Sequence, residues 1–143
     1  MTDDERRRLE EIAARAWPHR EEIRRDGWVL RLSGGGSKRA NSVQTLHWSG
    51  ADTGAAIAAA EADYRSRGLT PVFQIVDVSV PADLDGHLAR RGYRVVDRTA
   101  LMVKPVAAVA TPAAVAAFDD PPPEWLDVYL STVTPDRRAT APA

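Results

Sequence analysis

The sequence predicts an α/β fold: a mixed, mostly antiparallel sheet with helices on both faces, in the order α-β-β-α-β-α-β. Three observations lead there. Apolar stripes of helical spacing alternate with period-two runs over residues 1–104. Two period-two runs flank the glycines at 34–36, as in an antiparallel hairpin. After them, helical and strand-like segments alternate, which requires helices packed on a sheet and makes the sheet mixed.

Thr2-Asp3-Asp4-Glu5 has capping-box spacing and opens the first helix. Leu9, Ile12, Ala13, Ala16 and Trp17 form one apolar stripe, expected to face inward, and Pro18 ends the helix. Arg6-Arg7-Arg8 reads as a solvated face because acids are interleaved with it. Asp26-Gly27 is a turn, and Trp28, Leu30 and Leu32 then alternate as in a half-buried strand. Gly34-Gly35-Gly36-Ser37 is the hairpin tip, and Lys38 to Trp48 is the expected return strand. Asp52 or Thr53 caps the next helix, whose inward stripe is Ile57, Ala60 and Tyr64 and whose C′ residue is Gly68. Val72 to Val76 is β-rich. Pro81 suits the first position of a helix carrying Leu84 and Leu88 inward, which Gly92 closes. Tyr93 to Val103 is the expected last strand.

Two domains of unequal kind follow from proline and charge. Seven of the ten prolines lie beyond residue 104, where acids also outnumber bases. Residues 1–104 are therefore the expected α/β domain. Residues 105–143 are the expected Pro/Ala-rich linker, with a short helix near 124–131 whose apolar side is Trp125, Leu126 and Tyr129.

With 143 residues, the chain can bury a real core without a staple. Zero cysteine excludes disulfide scaffolds, thiolate metal sites and thiol nucleophiles. That, and a first stretch without signal-peptide pattern, predicts a cytoplasmic location. A net charge of −1 argues against nucleic acid or an anionic membrane as partner. The greasy stretch from Thr99 to Phe118 is interrupted by Lys104, Pro105 and Pro112, so no membrane span is expected. His19, His47 and His87 show no metal-ligand spacing and read as surface residues, so no metal site is expected. Gly34-Gly35-Gly36-Ser37-Lys38 lacks the spacing and following helix of a phosphate cradle. Gly50 to Gly54 differs, because it leads into a helix N-terminus, where free N–H groups favour an anion. Two readings fit it: a pyrophosphate contact through Gly50, Thr53 and Gly54, or a capped strand-to-helix turn.

Leu84-Asp85-Gly86-His87-Leu88-Ala89-Arg90-Arg91-Gly92-Tyr93-Arg94-Val95-Val96 resembles the late helix-to-strand passage of the GNAT superfamily of N-acetyltransferases. Asp26 to Gly35, followed by Arg39-Ala40-Asn41-Ser42-Val43, is similar to a bacterial subgroup with two GNAT-like halves, the first of them divergent. The resemblance covers about Trp17 to Val103. It implies a GNAT-like sheet and transfer of acetyl from acetyl-CoA, the expected co-substrate, to a small-molecule or peptide amine. It also implies that this chain is the N-terminal, substrate-side half of a longer protein, truncated before its second GNAT domain. Such a half would pair with that domain or with a second copy of itself.

Two departures fall on functional positions. The expected pyrophosphate loop has Asp52 and no basic or glutamine lead. Leu88 stands one helical turn before Gly92, where the family often has a tyrosine that protonates the leaving thiolate. Tyr64 and Tyr93 do not match that position, so no residue is assigned as catalytic. Weak activity, or none, is expected of this chain alone. Arg39, Asn41 and Ser42 form a polar cluster on the expected return strand and are the candidate substrate contacts. The alternative for Asn41 and Ser42 is that they only satisfy hairpin hydrogen bonds. A second functional class stays open: a non-catalytic module that packs against an acetyltransferase domain or self-associates.

Overall fold

A computed structural model describes residues 1–34, 36–105, 118–135 and 138. The described chain forms two compact units, one built on Met1–Tyr93 and one on Arg94–Val133. The alanine–valine run at 106–117 lies outside the described residues.

In the first unit, helix α1 spans Asp3–Arg15. Its capping box forms as expected. The Thr2 hydroxyl accepts from the Glu5 N–H, and the Glu5 carboxylate accepts from the Thr2 N–H at 2.6 Å. Strand β1 (Glu21–Arg25) and strand β2 (Trp28–Leu32) pair antiparallel around Asp26-Gly27, with φ of 49° and 90° at the tip. Strand β3 (Val43–Gln44) pairs antiparallel with β2, placing Val43 opposite Leu30. Helix α2 (Thr53–Arg65) crosses over to strand β4 (Phe73–Gln74), which runs parallel to β3. The sheet order is β1-β2-β3-β4. Helix α3 spans Leu84–Arg90.

Alternation along β2 separates the two faces of the sheet. Trp28, Leu30 and Leu32 join Val43 in a core closed by Ile57, Ala60 and Tyr64 of α2 and Leu84 and Leu88 of α3. The expected inward stripes of α2 and α3 are thus buried. On the other face, α1 is held through polar groups. Arg7 Nε donates to the Leu46 carbonyl at 3.0 Å, and Glu10 accepts from Gln74 at 3.3 Å. The sheet is mixed and lies between helices, as the sequence predicts.

Four details correct the expected elements. β1 is an additional strand; Glu21-Glu22-Ile23-Arg24-Arg25 carries one apolar residue, Ile23, which packs against the core, because an edge strand leaves most of its side chains in solvent. The return strand is short: Lys38–Ala40 is a 3₁₀ turn, and pairing is confined to Val43–Gln44. Helix α3 starts at Leu84 rather than at Pro81. Tyr93 to Val103 forms no strand, and Val95, Val96, Leu101, Met102 and Val103 are exposed. β-propensity describes fit to a half-buried pleated surface, and this segment is not paired with one. The observed order is therefore α-β-β-β-α-β-α-α.

The α1 stripe also departs from expectation. No α1 residue is fully buried, and Ile12 and Trp17 are 46% and 41% exposed. In the second unit, helix α4 spans Pro123–Thr132, covering the short helix expected near 124–131. Trp125 and Tyr129 stack with ring centroids 5.3 Å apart and are largely exposed.

Candidate functional site

The loop from β3 to α2 is fastened at both ends. The Ser49 N–H donates to the Asp26 carbonyl at 2.8 Å, tying the loop to the β1–β2 tip. Gly50 lies against the Trp48 ring, where an added Cβ would stand 2.6 Å from a ring carbon. Asp52 is the N-cap of α2, its carboxylate accepting from the Ala55 N–H at 2.9 Å. Thr53 is the first helical residue. The Gly54 carbonyl accepts from Arg91 Nη2 at 2.9 Å, and Arg91 Nη1 lies 3.6 Å from Glu61. Beside the loop runs an open depression of about 500 Å³ lined by Arg24, Arg25, Asp26, Asp52, Ala55, Ala56 and Ala59.

The positive end of α2 is thus already matched by the chain's own carboxylate. Gly50, Thr53 and Gly54 stay together, but Gly50 fills a packing role. Arg91 is a cation at this helix end that the sequence reading missed, because it arrives from the far end of α3.

The three candidate substrate contacts separate in space. Arg39 stands exposed on the 3₁₀ turn, its guanidinium 5.0 Å from the Trp17 ring centre. Asn41 staples the glycine loop: its Oδ1 accepts from the Ser33 N–H at 2.7 Å and its Nδ2 donates to the Ser37 carbonyl at 2.9 Å. Ser42 belongs to a different group, the polar sheet face beneath α1. Its Oγ accepts from Arg31 Nη2 at 2.8 Å, and the same nitrogen donates to Gln74 Oε1 at 3.0 Å. Gln74 in turn donates to Glu10.

Arg31 is 2% exposed, and burial lowers its pKa. Tyr64, buried on the opposite face, donates to the Arg31 carbonyl at 2.8 Å, and burial pushes its phenol upward. Arg31 carried no signal in the sequence, since a polar residue between Leu30 and Leu32 reads as a solvent-facing position. The histidines each meet one carboxylate: His19 with Glu22, His47 with Glu11 and His87 with Asp83. No described helix is long and apolar enough to cross a membrane.

Glu10 is held above the ordinary carboxylate value of 4.5, first by burial and then by the Asp77 charge. An acid with a raised folded pKa is disfavoured in its ionised form. Its cost is fully present above the folded pKa and vanishes as pH falls below 4.5. Glu10→Gln keeps an oxygen for Gln74 and removes the charge. It is expected to raise the urea midpoint at pH 7, with the gain shrinking towards pH 4. An equal gain at both pH values would refute this account.

A family model described as "Probable histone acetyltransferase Rv0428c C-terminal" matches residues 3–142. The chain belongs to this family. It is 35% identical over 125 residues to "Probable histone acetyltransferase Rv0428c" of Mycobacterium tuberculosis, a match covering 86% of this chain and 38% of that protein. It is 40% identical over 96 residues to "Uncharacterized N-acetyltransferase YobR" of Bacillus subtilis, covering 66% of this chain and 37% of that protein. The matches thus span well under half the length of these curated relatives. They support the GNAT-like N-acetyltransferase relationship read from the sequence. No solved structure matches the chain.

Proposed function

We propose that this chain is the front, substrate-side half of a GNAT-type N-acetyltransferase, a protein that moves acetyl from acetyl-CoA to an amine. The observation that carries the acetyltransferase part of this reading is the family match over residues 3–142, with relatives named as acetyltransferases. The family model is described as the C-terminal part of its namesake, so the front position rests on the residue resemblance and not on the match. On this reading the α/β domain ends near residue 104, the rest is a linker, and a second GNAT domain or a second copy completes the enzyme. The acceptor is a small-molecule or peptide amine, and the setting is the cytoplasm.

The residues at the α2 N-terminus do not fit a pyrophosphate as they stand. Asp52 Oδ1 already takes the Ala55 N–H, and its charge opposes a second anion. The chain alone is therefore proposed to bind acetyl-CoA weakly, with Gly50, Thr53 and Gly54 marking the place.

Calorimetric titration with acetyl-CoA tests this. The wild-type chain is expected to show no saturation below about 1 mM, a free energy weaker than about −4 kcal/mol. Asp52→Asn keeps a good N-cap and removes the charge, so binding should strengthen by about tenfold. Micromolar binding by the wild type would overturn the half-enzyme reading. A second reading, a non-catalytic packing module, is favoured by the exposed Ile12 of α1 and Trp17 just after it. It predicts self-association in sedimentation together with no acetyl-CoA heat for either form.

A further inference from the structure

Among the described residues, two buried donors on the sheet face beneath α1 have no acceptor. They are Arg31 Nε and Gln44 Nε2. The strand register explains why they belong together. Val29 of β2 stands opposite Gln44 of β3, which stands opposite Gln74 of β4, so Gln44 and Gln74 share the face of Val29 and Arg31. Arg31 and Gln44 are then diagonal neighbours across the β2–β3 pair, about 7–8 Å apart by the general spacing of such pairs.

Among the described residues, no carboxylate hydrogen-bonds to the Arg31 guanidinium. Arg31 is almost fully buried, yet its side-chain partners are the neutral oxygens of Ser42 and Gln74. Glu22 of β1 stands opposite Arg31 in the register and its charge bears on the guanidinium, but its carboxylate oxygens meet Arg24 and His19, while Glu10 meets Gln74. A buried cation is costly unless an anion or a full set of acceptors completes it. One guanidinium N–H and one amide N–H, from adjacent strands on one face, offer the two donors that a planar carboxylate takes. Helix α1, which lies on this face, has no fully buried residue of its own.

We propose that Arg31 and Gln44, backed by Ser42 and Gln74, form a carboxylate-binding site between α1 and the sheet. The further step, that this carboxylate belongs to the amine acceptor, rests on the transferase reading above; the binding itself does not. On that step the acceptor is an amine bearing a carboxylate, with Glu10 on the same face as the complement of its ammonium group.

The probe is sodium acetate, titrated against sodium chloride at constant ionic strength, with the full ¹⁵N-labelled chain. The Arg31 Nε–Hε resonance, assigned by its loss in Arg31→Lys, is expected to move downfield and saturate with acetate alone. Gln44→Leu leaves the arginine in place and should weaken acetate by about tenfold, the loss of one hydrogen bond to a charged group. It is also the safeguard if Arg31→Lys folds poorly. A resonance that responds equally to both salts, or an unchanged affinity in Gln44→Leu, would mean that a buried water satisfies both donors, and the proposal falls. Acetate saturation without any acetyl transfer by the chain and its completing domain would keep the site and sink only its assignment to an acceptor.

Discussion

Replacing Trp28 by alanine is expected to cost about 3–5 kcal/mol, the range for removing a large buried aromatic side chain. Trp28 is 1% exposed and joins three parts of the first unit. Its ring lies 4.8 Å from that of Trp48 and 5.9 Å from that of Phe73, edge-on to the latter. Its indole N–H donates to the Val80 carbonyl at 2.9 Å, across to the segment before α3. The substitution opens a cavity and takes that carbonyl's side-chain donor away at once. Total stabilities of domains this size are about 5–15 kcal/mol, so the variant should be mostly unfolded under mild denaturant. Trp28→Phe separates the two contributions. It keeps most of the ring volume and should lose roughly 1–2 kcal/mol. Guanidinium unfolding followed by circular dichroism reads both, and a loss under about 1 kcal/mol for Trp28→Ala would remove this tryptophan from the centre of the core.

Trp28 also shows what was legible in the sequence. Its alternation with Leu30 and Leu32 marks a strand with one buried face, and that periodicity exists because the core selects it. Ile57, Ala60 and Tyr64 are legible for the same reason, and so is the Thr2–Glu5 box, whose partners are near neighbours in the chain. Where burial does not act on a segment, periodicity has nothing to report. β1, an edge strand with only Ile23 packed against the core, reads as a charged run. The 93–103 segment has β-forming residues, but propensity alone does not supply the neighbouring strand a ladder needs. The candidate site divides in the same way. Asp52 is readable as a cap from local spacing. Arg91 at Gly54, and the Arg31–Ser42–Gln74–Glu10 chain, depend on contacts between residues far apart in sequence. Asn41 and Ser42 sit side by side in the chain, yet one closes a loop and the other joins a buried network.

Gly27→Ala is expected to destabilise the first unit by about 3 kcal/mol or more, and Gly34→Ala by only about 1–2 kcal/mol. Both glycines have positive φ, 90° and 73°, so both variants carry the cost of a left-handed L-residue. The difference lies in what the new Cβ meets. At Gly34 nothing stands within 4 Å. At Gly27 the Cβ would lie 2.9 Å from both the carbonyl carbon and the oxygen of His47, and 3.0 Å from the Trp48 nitrogen. These are backbone atoms, which cannot rotate aside, so the hairpin tip must lift away from the chain that continues β3. That movement strains the Ser49 to Asp26 hydrogen bond and frees Gly50, whose space is bounded by the Trp48 ring and the Asp26 Cβ. The disturbance therefore runs into the loop that sets the N-terminus of α2. Amide hydrogen exchange at Ser49 and Ala55 should accelerate in Gly27→Ala beyond the change explained by global stability, and should not in Gly34→Ala. Equal losses in the two variants would show that backbone conformation alone makes Gly27 a glycine. A larger loss confined to Gly27→Ala would show that the β1–β2 tip braces the loop on which any anion binding at α2 depends.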